Sequence, residues 1–139
     1  MLGDIVYVER RTWCNGFKEI KDDNGFFRDY GIEVSNGNVI HFVNYDQEGC
    51  LIQKIIESSM DEFSRGLEVK FDDIVEYKFN KIEVLDRAFS RLNKSFGKYH
   101  ITNNNCESFV LWCTTGKKSK YINKINLFSS NNGTIVNVN

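Results

Sequence analysis

The chain has 139 residues, 41% of them hydrophobic and 27% charged. That is the composition of one ordinary globular domain, and a chain of this length buries roughly two thirds of its unfolded surface without staples. Eighteen basic residues against nineteen acidic ones leave a net charge of −1, which removes the electrostatic case for binding nucleic acid. No segment approaches the roughly twenty apolar residues of a membrane helix, the best run being Phe109 to Cys113, so no transmembrane anchor is expected. The first ten residues lack the basic and apolar regions of a signal peptide, and a cytoplasmic location is expected. Usage is skewed, with no Pro, one Ala (Ala88) and sixteen Asn, a bias that an AT-rich genome produces and that carries no functional weight. Cys14, Cys50, Cys106 and Cys113 form no CxxC pair and no zinc spacing, so free thiols and no metal or other cofactor are expected.

No repeat and no Pro- or Gly-rich linker divides the chain. Asp4 to Arg10 alternates as a buried strand does. Thr12 to Gly25 reads as a long polar loop. Tyr30 to Ser35 and Asn38 to Val43 are β-rich runs joined by Asn36-Gly37, a strong hairpin signal. Cys50 to Ile56 and Leu67 to Phe71 read as further strands, with a short helical turn at Met60 to Phe63 between them. From Lys81 onward Ile82, Leu85, Ala88/Phe89 and Leu92 recur at helical spacing, and Phe96-Gly97 reads as that helix's end. Lys98 to Ile101 reads as a short strand. Asn103-Asn104-Asn105 supplies capping side chains for a helix from Cys106 to Thr115, closed by Gly116. The order gives an α+β fold, an antiparallel sheet packed against helices.

Cys106 opens a predicted helix, where free N–H groups and the positive helix end favour a thiolate. On position alone it is equally a nucleophile or a small buried hydrophobe. Cys113, two turns on, shares a face with Phe109 and Val110 and reads as core; Cys14 and Cys50 have no partner pattern. The two histidines restrict the choice of base. His41 alternates with Val39 and Val43, opposite Ile40 and Phe42; His100 lies six residues before Cys106. Sequence physics alone stops at a Cys–His hydrolase, with a satisfied core histidine as the competing reading of His41.

Asn104-Asn105-Cys106-Glu107-Ser108-Phe109 resembles the NC box of the lecithin:retinol acyltransferase-like family, usually Asn-Cys-Glu-His-Phe. Gly3-Asp4-Ile5-Val6 resembles that family's opening strand, and Tyr30 to Val34 with Val39 to Phe42 its H-box hairpin. Glu62-Phe63 and Leu85-Asp86-Arg87-Ala88, with Leu92, resemble further recurrent positions, in the family's order. The resemblance spans about residues 3 to 118. It implies a single domain over 1–118 with a circularly permuted papain-like α+β fold, followed by a C-terminal helix and tail over 119–139. It also implies acyl transfer from, or hydrolysis of, an acyl lipid through a thioester on Cys106, and it matches His41 to the second H-box histidine, which supports the catalytic imidazole.

The family's principal base falls on Asp29, and this is a departure. Moving a proton from a reference thiol to a reference carboxylate is uphill by about 6 kcal/mol, against about 2.7 kcal/mol for an imidazole. An ionised Asp29 also opposes a thiolate beside it. Ser108 stands where the NC box commonly has His. Two readings follow. In one, Cys106 attacks an ester, His41 is base and Asp29 orients it, with altered or attenuated activity. In the other, the domain is a catalytically degenerate binding or inhibitor module, of a viral, phage or bacterial effector type, that engages a protein partner. Backbone N–H groups near Cys106 are the expected oxyanion hole. Beyond Gly116, Tyr121, Ile125 and Phe128 form an apolar stripe among lysines, expected as a docked helix, with a weak membrane-surface or partner contact as the alternative. Residues 134–138 read as an edge strand or an added strand for a partner. Asp22-Asp23 and Asp72-Asp73 read as solvated loop charges.

Overall fold

The computed structural model describes residues 1–10, 12–15, 18–21, 27–47, 49–73, 75–100 and 104–118. The expectations for Asp22-Asp23 and for the C-terminal helix and strand beyond residue 118 lie outside them. Among the described residues, seven strands and three α-helices follow in the order β1 (Ile5–Arg10), β2 (Thr12–Asn15), β3 (Lys18–Lys21), β4 (Phe27–Val34), β5 (Asn38–Gln47), β6 (Cys50–Ser59), α1 (Met60–Ser64), β7 (Lys70–Asp72), α2 (Lys81–Ser90) and α3 (Cys106–Thr115). Five strands form one antiparallel sheet in the order β6-β5-β4-β1-β7, while β2 and β3 pair separately. The fold is α+β.

Strand alternation sorts the side chains onto two faces. Ile5, Tyr30, Ile32, Val34, Ile40 and Phe42 face α2 and α3 and build the main core with Val84, Ala88, Phe96, Phe109, Val110 and Cys113. Val6, Val8 and Val39 face the other way and pack on Phe63 of α1. The Asn36-Gly37 signal is realised as a 3-10 turn over Ser35–Gly37, where Gly37 takes a positive φ of 71°. Each helix begins with a capping box, from Ser59 to Glu62, Asn80 to Glu83 and Asn105 to Ser108. Gly116, in the left-handed region, ends α3.

Several elements differ from expectation. The stretch read as a loop from Thr12 holds the β2–β3 hairpin, whose four-residue strands are too short for a clear period of two. The strand expected over Leu67 to Phe71 shortens to β7 at Lys70–Asp72, with Asp72 buried rather than solvated. The expected strand at 98–101 is reduced, among the described residues, to a single bridge between His100 and Asn104. α2 stops at Ser90, not Phe96, because the chain turns at Asn93 (φ 61°) and pairs with β6: Asn93 N–H donates to Ile55 O at 2.7 Å and Ile55 N–H to Lys94 O at 3.1 Å. Gly97 accordingly lies in a loop, away from the helix end. The buried stripe of α2 is Val84 and Ala88, with Ile82 and Phe89 exposed. Arg87 fixes α2 to α3: its Nε and Nη2 donate to Trp112 O at 3.1 and 2.8 Å, with the guanidinium between the rings of Phe79 and Trp112.

The sheet is continuous between β1 and β4 along Ile5–Arg10, but β4 meets β5 only at Ile32, Glu33 and Val34. At the point of parting sits Gly31, where a Cβ would overlap the Val39 side chain. Gly31→Ala is expected to destabilise the domain by about 1–3 kcal/mol through overpacking. A double-mutant cycle with Val39→Ala, followed by urea unfolding, checks the cause, since the double change should cost less than the sum of the singles. Strict additivity would exclude this contact.

Candidate active site

Where β4 leaves β5, the first turn of α3 takes β5's place. The Tyr30 N–H, which points away from β1, donates to Cys106 Sγ at 3.4 Å. The thiol in turn lies 3.7 Å from Arg28 O and 3.8 Å from Asp29 Oδ1. Cys106 thus completes the edge of a strand as a paired residue would. Asn105 caps α3 by accepting from Ser108 N–H at 3.1 Å, which fixes where the helix starts and so where the sulfur sits. Cys106 is 6% exposed.

Asp29 is on the other face of β4, opposite Val8 in the register with β1. Arg10, two residues along β1 on the same face, holds it: Nε donates to Asp29 Oδ2 at 2.5 Å. Its Nη2 donates to Phe63 O, also at 2.5 Å, tying the pair to α1. His41 lies on this face too, where Nε2 is 2.9 Å from Ser58 Oγ and the ring is edge-on to Phe63. Among the residues expected at a site, Cys106 and Asp29 are therefore in contact, while the hydrogen bond of His41 goes to β6. His100 is exposed and joins Asn104 through backbone hydrogen bonds. Cys113 is buried in the core.

Burial pushes the Cys106 thiol far above its ordinary value, and the Asp29 carboxylate adds to this. The N–H groups of Tyr30 and Glu107 act in the opposite direction but do not win. The helix start alone suggests a thiolate, whereas the buried sulfur beside a carboxylate is a neutral thiol. Burial also pushes the His41 imidazole down to about 4, with Arg10 and Arg65 acting the same way and Asp29 and Glu62 opposing.

A family model for lecithin retinol acyltransferase matches residues 1–119. The chain belongs to that family. Curated proteins give no significant match. The lecithin retinol acyltransferase family implies a lipid substrate and an acyltransferase- or thiol-hydrolase-like chemistry. No helix among the described residues is long and apolar enough to cross a membrane.

Two residues of the site escaped the sequence reading. Arg10 is one; its only signal was a charge continuing the buried face of Val6 and Val8. Tyr99 is the other: its ring packs edge-on to Phe42, against the core cluster that contains Cys106. Seven residues from Cys106, it lay in a segment read as a plain strand.

Two outcomes follow. Unit charges about 4 Å apart interact by about 4 kcal/mol at an effective dielectric near 20, less where solvent screens them. The Asp29 side chain is 39% exposed, so the screened share applies. Asp29→Asn, which leaves Arg10 uncompensated, is expected to speed iodoacetamide alkylation of Cys106 about tenfold, read by site-resolved mass spectrometry with Cys113 as reference; an unchanged rate refutes the carboxylate's influence. For His41, the folded value near 4 lies below the ordinary 6.5, so the unfolded chain binds a proton in that window and the fold does not. Its stability is intact above about pH 6.5 and falls as pH drops toward 4, by at most about 3 kcal/mol. Urea unfolding of wild type and His41→Gln across that range isolates the effect as a pH-dependent difference.

Proposed function

We propose that the domain is an acyl-lipid thiol transferase or hydrolase of attenuated output, in which Cys106 takes up the acyl group as a thioester. The observation that carries this reading is the 3.8 Å approach of Asp29 Oδ1 to Cys106 Sγ, with the carboxylate clamped by Arg10. The nucleophile stands at a helix start, among N–H donors, with an acidic side chain where a stronger base belongs. Proton transfer from a reference thiol to a reference carboxylate costs about 6 kcal/mol, some 3 kcal/mol more than to an imidazole. His41, lowered to about 4, is no better an acceptor while it stays on Ser58. For His41 to serve as base with Asp29 orienting it, the imidazole must turn from Ser58 toward the thiol, which is a second source of attenuation. One product of the scheme is the Cys106 thioester; transfer to an acceptor or to water completes it.

A second reading, a binding module without catalysis, draws on the same neutral thiol and the engagement of His41 by Ser58. Exchange at position 29 separates the two. Asp29→His is expected to raise acylation of Cys106 by p-nitrophenyl butyrate at least tenfold over wild type, seen as a mass adduct absent from Cys106→Ala. No adduct in either protein would leave the binding module as the surviving reading.

A further inference from the structure

The segment that joins α2 to α3 gathers positive charge. From Arg91 to Cys106 the chain carries Arg91, Lys94 and Lys98 and no acidic residue, although its net charge is −1. Lys118, just past the Gly116 turn that ends α3, reaches back to this segment, where its Nζ donates to Asn104 Oδ1 at 3.1 Å. Asn104 is held for that contact by its other end, Nδ2 donating to Phe96 O at 2.7 Å and to Lys98 O at 3.0 Å. Arg91 and Lys118 also share one aromatic ring. Phe96 is buried against Phe42, Phe109 and Trp112, and its centroid lies 5.9 Å from Arg91 Cζ and 4.2 Å from Lys118 Nζ. Among the described residues neither cation has a carboxylate partner. Lys118 has the amide oxygen of Asn104; Arg91 Nη2 donates to Ser95 O at 2.8 Å, and its buried Nε finds no acceptor there. Burial and the neighbouring Arg91 charge push the Lys118 ammonium below its usual range, so the two cations oppose each other. Arg91 is partly buried and Lys118 exposed, which leaves the pair open to an anion from solution.

We propose that Arg91 and Lys118 form a binding site for a phosphate group, the guanidinium and the ammonium donating to its oxygens beside Phe96. Two like charges held on one ring repel, and an anion between them turns that repulsion into two attractions. Phosphate suits the pair better than a carboxylate does. Its tetrahedral oxygens meet a planar fork and a rotatable ammonium together, and a doubly charged monoester balances both cations. A lipid headgroup and a soluble phosphate share this chemistry. Binding involves no covalent step and does not rest on the acyl-transfer reading. Asn104 lies two residues before Cys106, so an occupied site borders the start of α3.

The amide resonances of Gly97, Lys98 and Asn104 report on the site by NMR as chloride is replaced with inorganic phosphate at constant ionic strength. Saturable shifts are expected in wild type, with affinity reduced at least tenfold in Arg91→Gln and in Lys118→Gln. Lys118→Arg is expected to keep affinity within about threefold of wild type. Lys117→Gln, which removes the same charge one position away, is expected to change it by no more than about twofold. A cooperative thermal transition verifies the fold of each variant. Cosedimentation with vesicles of equimolar phosphatidylcholine and phosphatidic acid separates the two sources. Vesicle binding that weakens at least tenfold in Arg91→Gln and Lys118→Gln assigns the site to a lipid headgroup, and phosphate binding without vesicle binding assigns it to a soluble phosphate. Equal losses in Lys117→Gln and Lys118→Gln would mean diffuse attraction to a basic surface and overturn the proposal. It is overturned equally if neither phosphate nor vesicles give a response that Arg91→Gln and Lys118→Gln remove.

Discussion

The parting of β4 from β5 is the constraint on which the rest of the site depends. Beyond Ile32 the β4 edge would expose a donor and an acceptor inside the core, where an unpaired backbone group costs about 1–3 kcal/mol. Cys106 meets that need, facing the Tyr30 N–H and the Arg28 carbonyl at the position that a β5 residue would fill. The same sulfur is therefore a structural partner of the sheet and the reactive atom of the proposed chemistry. Its placement depends on Gly31, which lets β5 approach closely before the strands separate, and on Asn105, which sets the first residue of α3.

The opening joins the two faces of the sheet. Cys106 reaches it from the side of α3, and Asp29 from the side of α1, so that residues on opposite faces come into contact through the gap. Arg10 is what makes a carboxylate tolerable there. Its side chain is 13% exposed, and it satisfies both Asp29 and the Phe63 carbonyl, so neither charge is buried alone. For the thiol, however, the compensation is incomplete. Asp29 is nearer to the sulfur in its effect than Arg10 is, and together with burial it outweighs the N–H groups of Tyr30 and Glu107. A helix N-terminus contributes about 0.3–1 kcal/mol to a nearby anion, too little to reverse the loss of solvent around a buried sulfur.

What the sequence disclosed was local. The hairpin at Asn36-Gly37, the helix starts at Asn80 and Asn105, and the Gly116 stop are chemistry within a few residues, and each is realised. The alternation Val39, His41, Val43 against Ile40 and Phe42 likewise separated the two faces of β5. What failed was decided at a distance. α2 ends early because Asn93 and Lys94 find the edge of β6 some forty residues upstream, and no propensity at Ser90 announces it. The same holds for the site. Family resemblance matches Asp29 to a base position; its 3.8 Å approach to Cys106 Sγ is set by where β4 parts from β5. That His41 bonds Ser58, and that Arg10 clamps Asp29, follows from strand register, which local sequence does not encode.

The arrangement around Cys106 has a consequence for how its reactivity is limited. A site decayed at random would be expected to lose several partners at once. Here the helix cap, the strand N–H and the ion pair behind Asp29 are all in place. On the acyl-transfer reading, the positioning of the thiol is thus retained, and the deficit lies with the acceptor of its proton, Asp29 being a weak base and His41 being held by Ser58. Deprotonation and tetrahedral-intermediate formation are separable steps with different group requirements. A restriction on the first alone lowers the rate without altering which ester the site would recognise. On that reading, a carboxylate clamped by Arg10 beside the thiol would act as a brake on one proton transfer, with the placement of the sulfur intact.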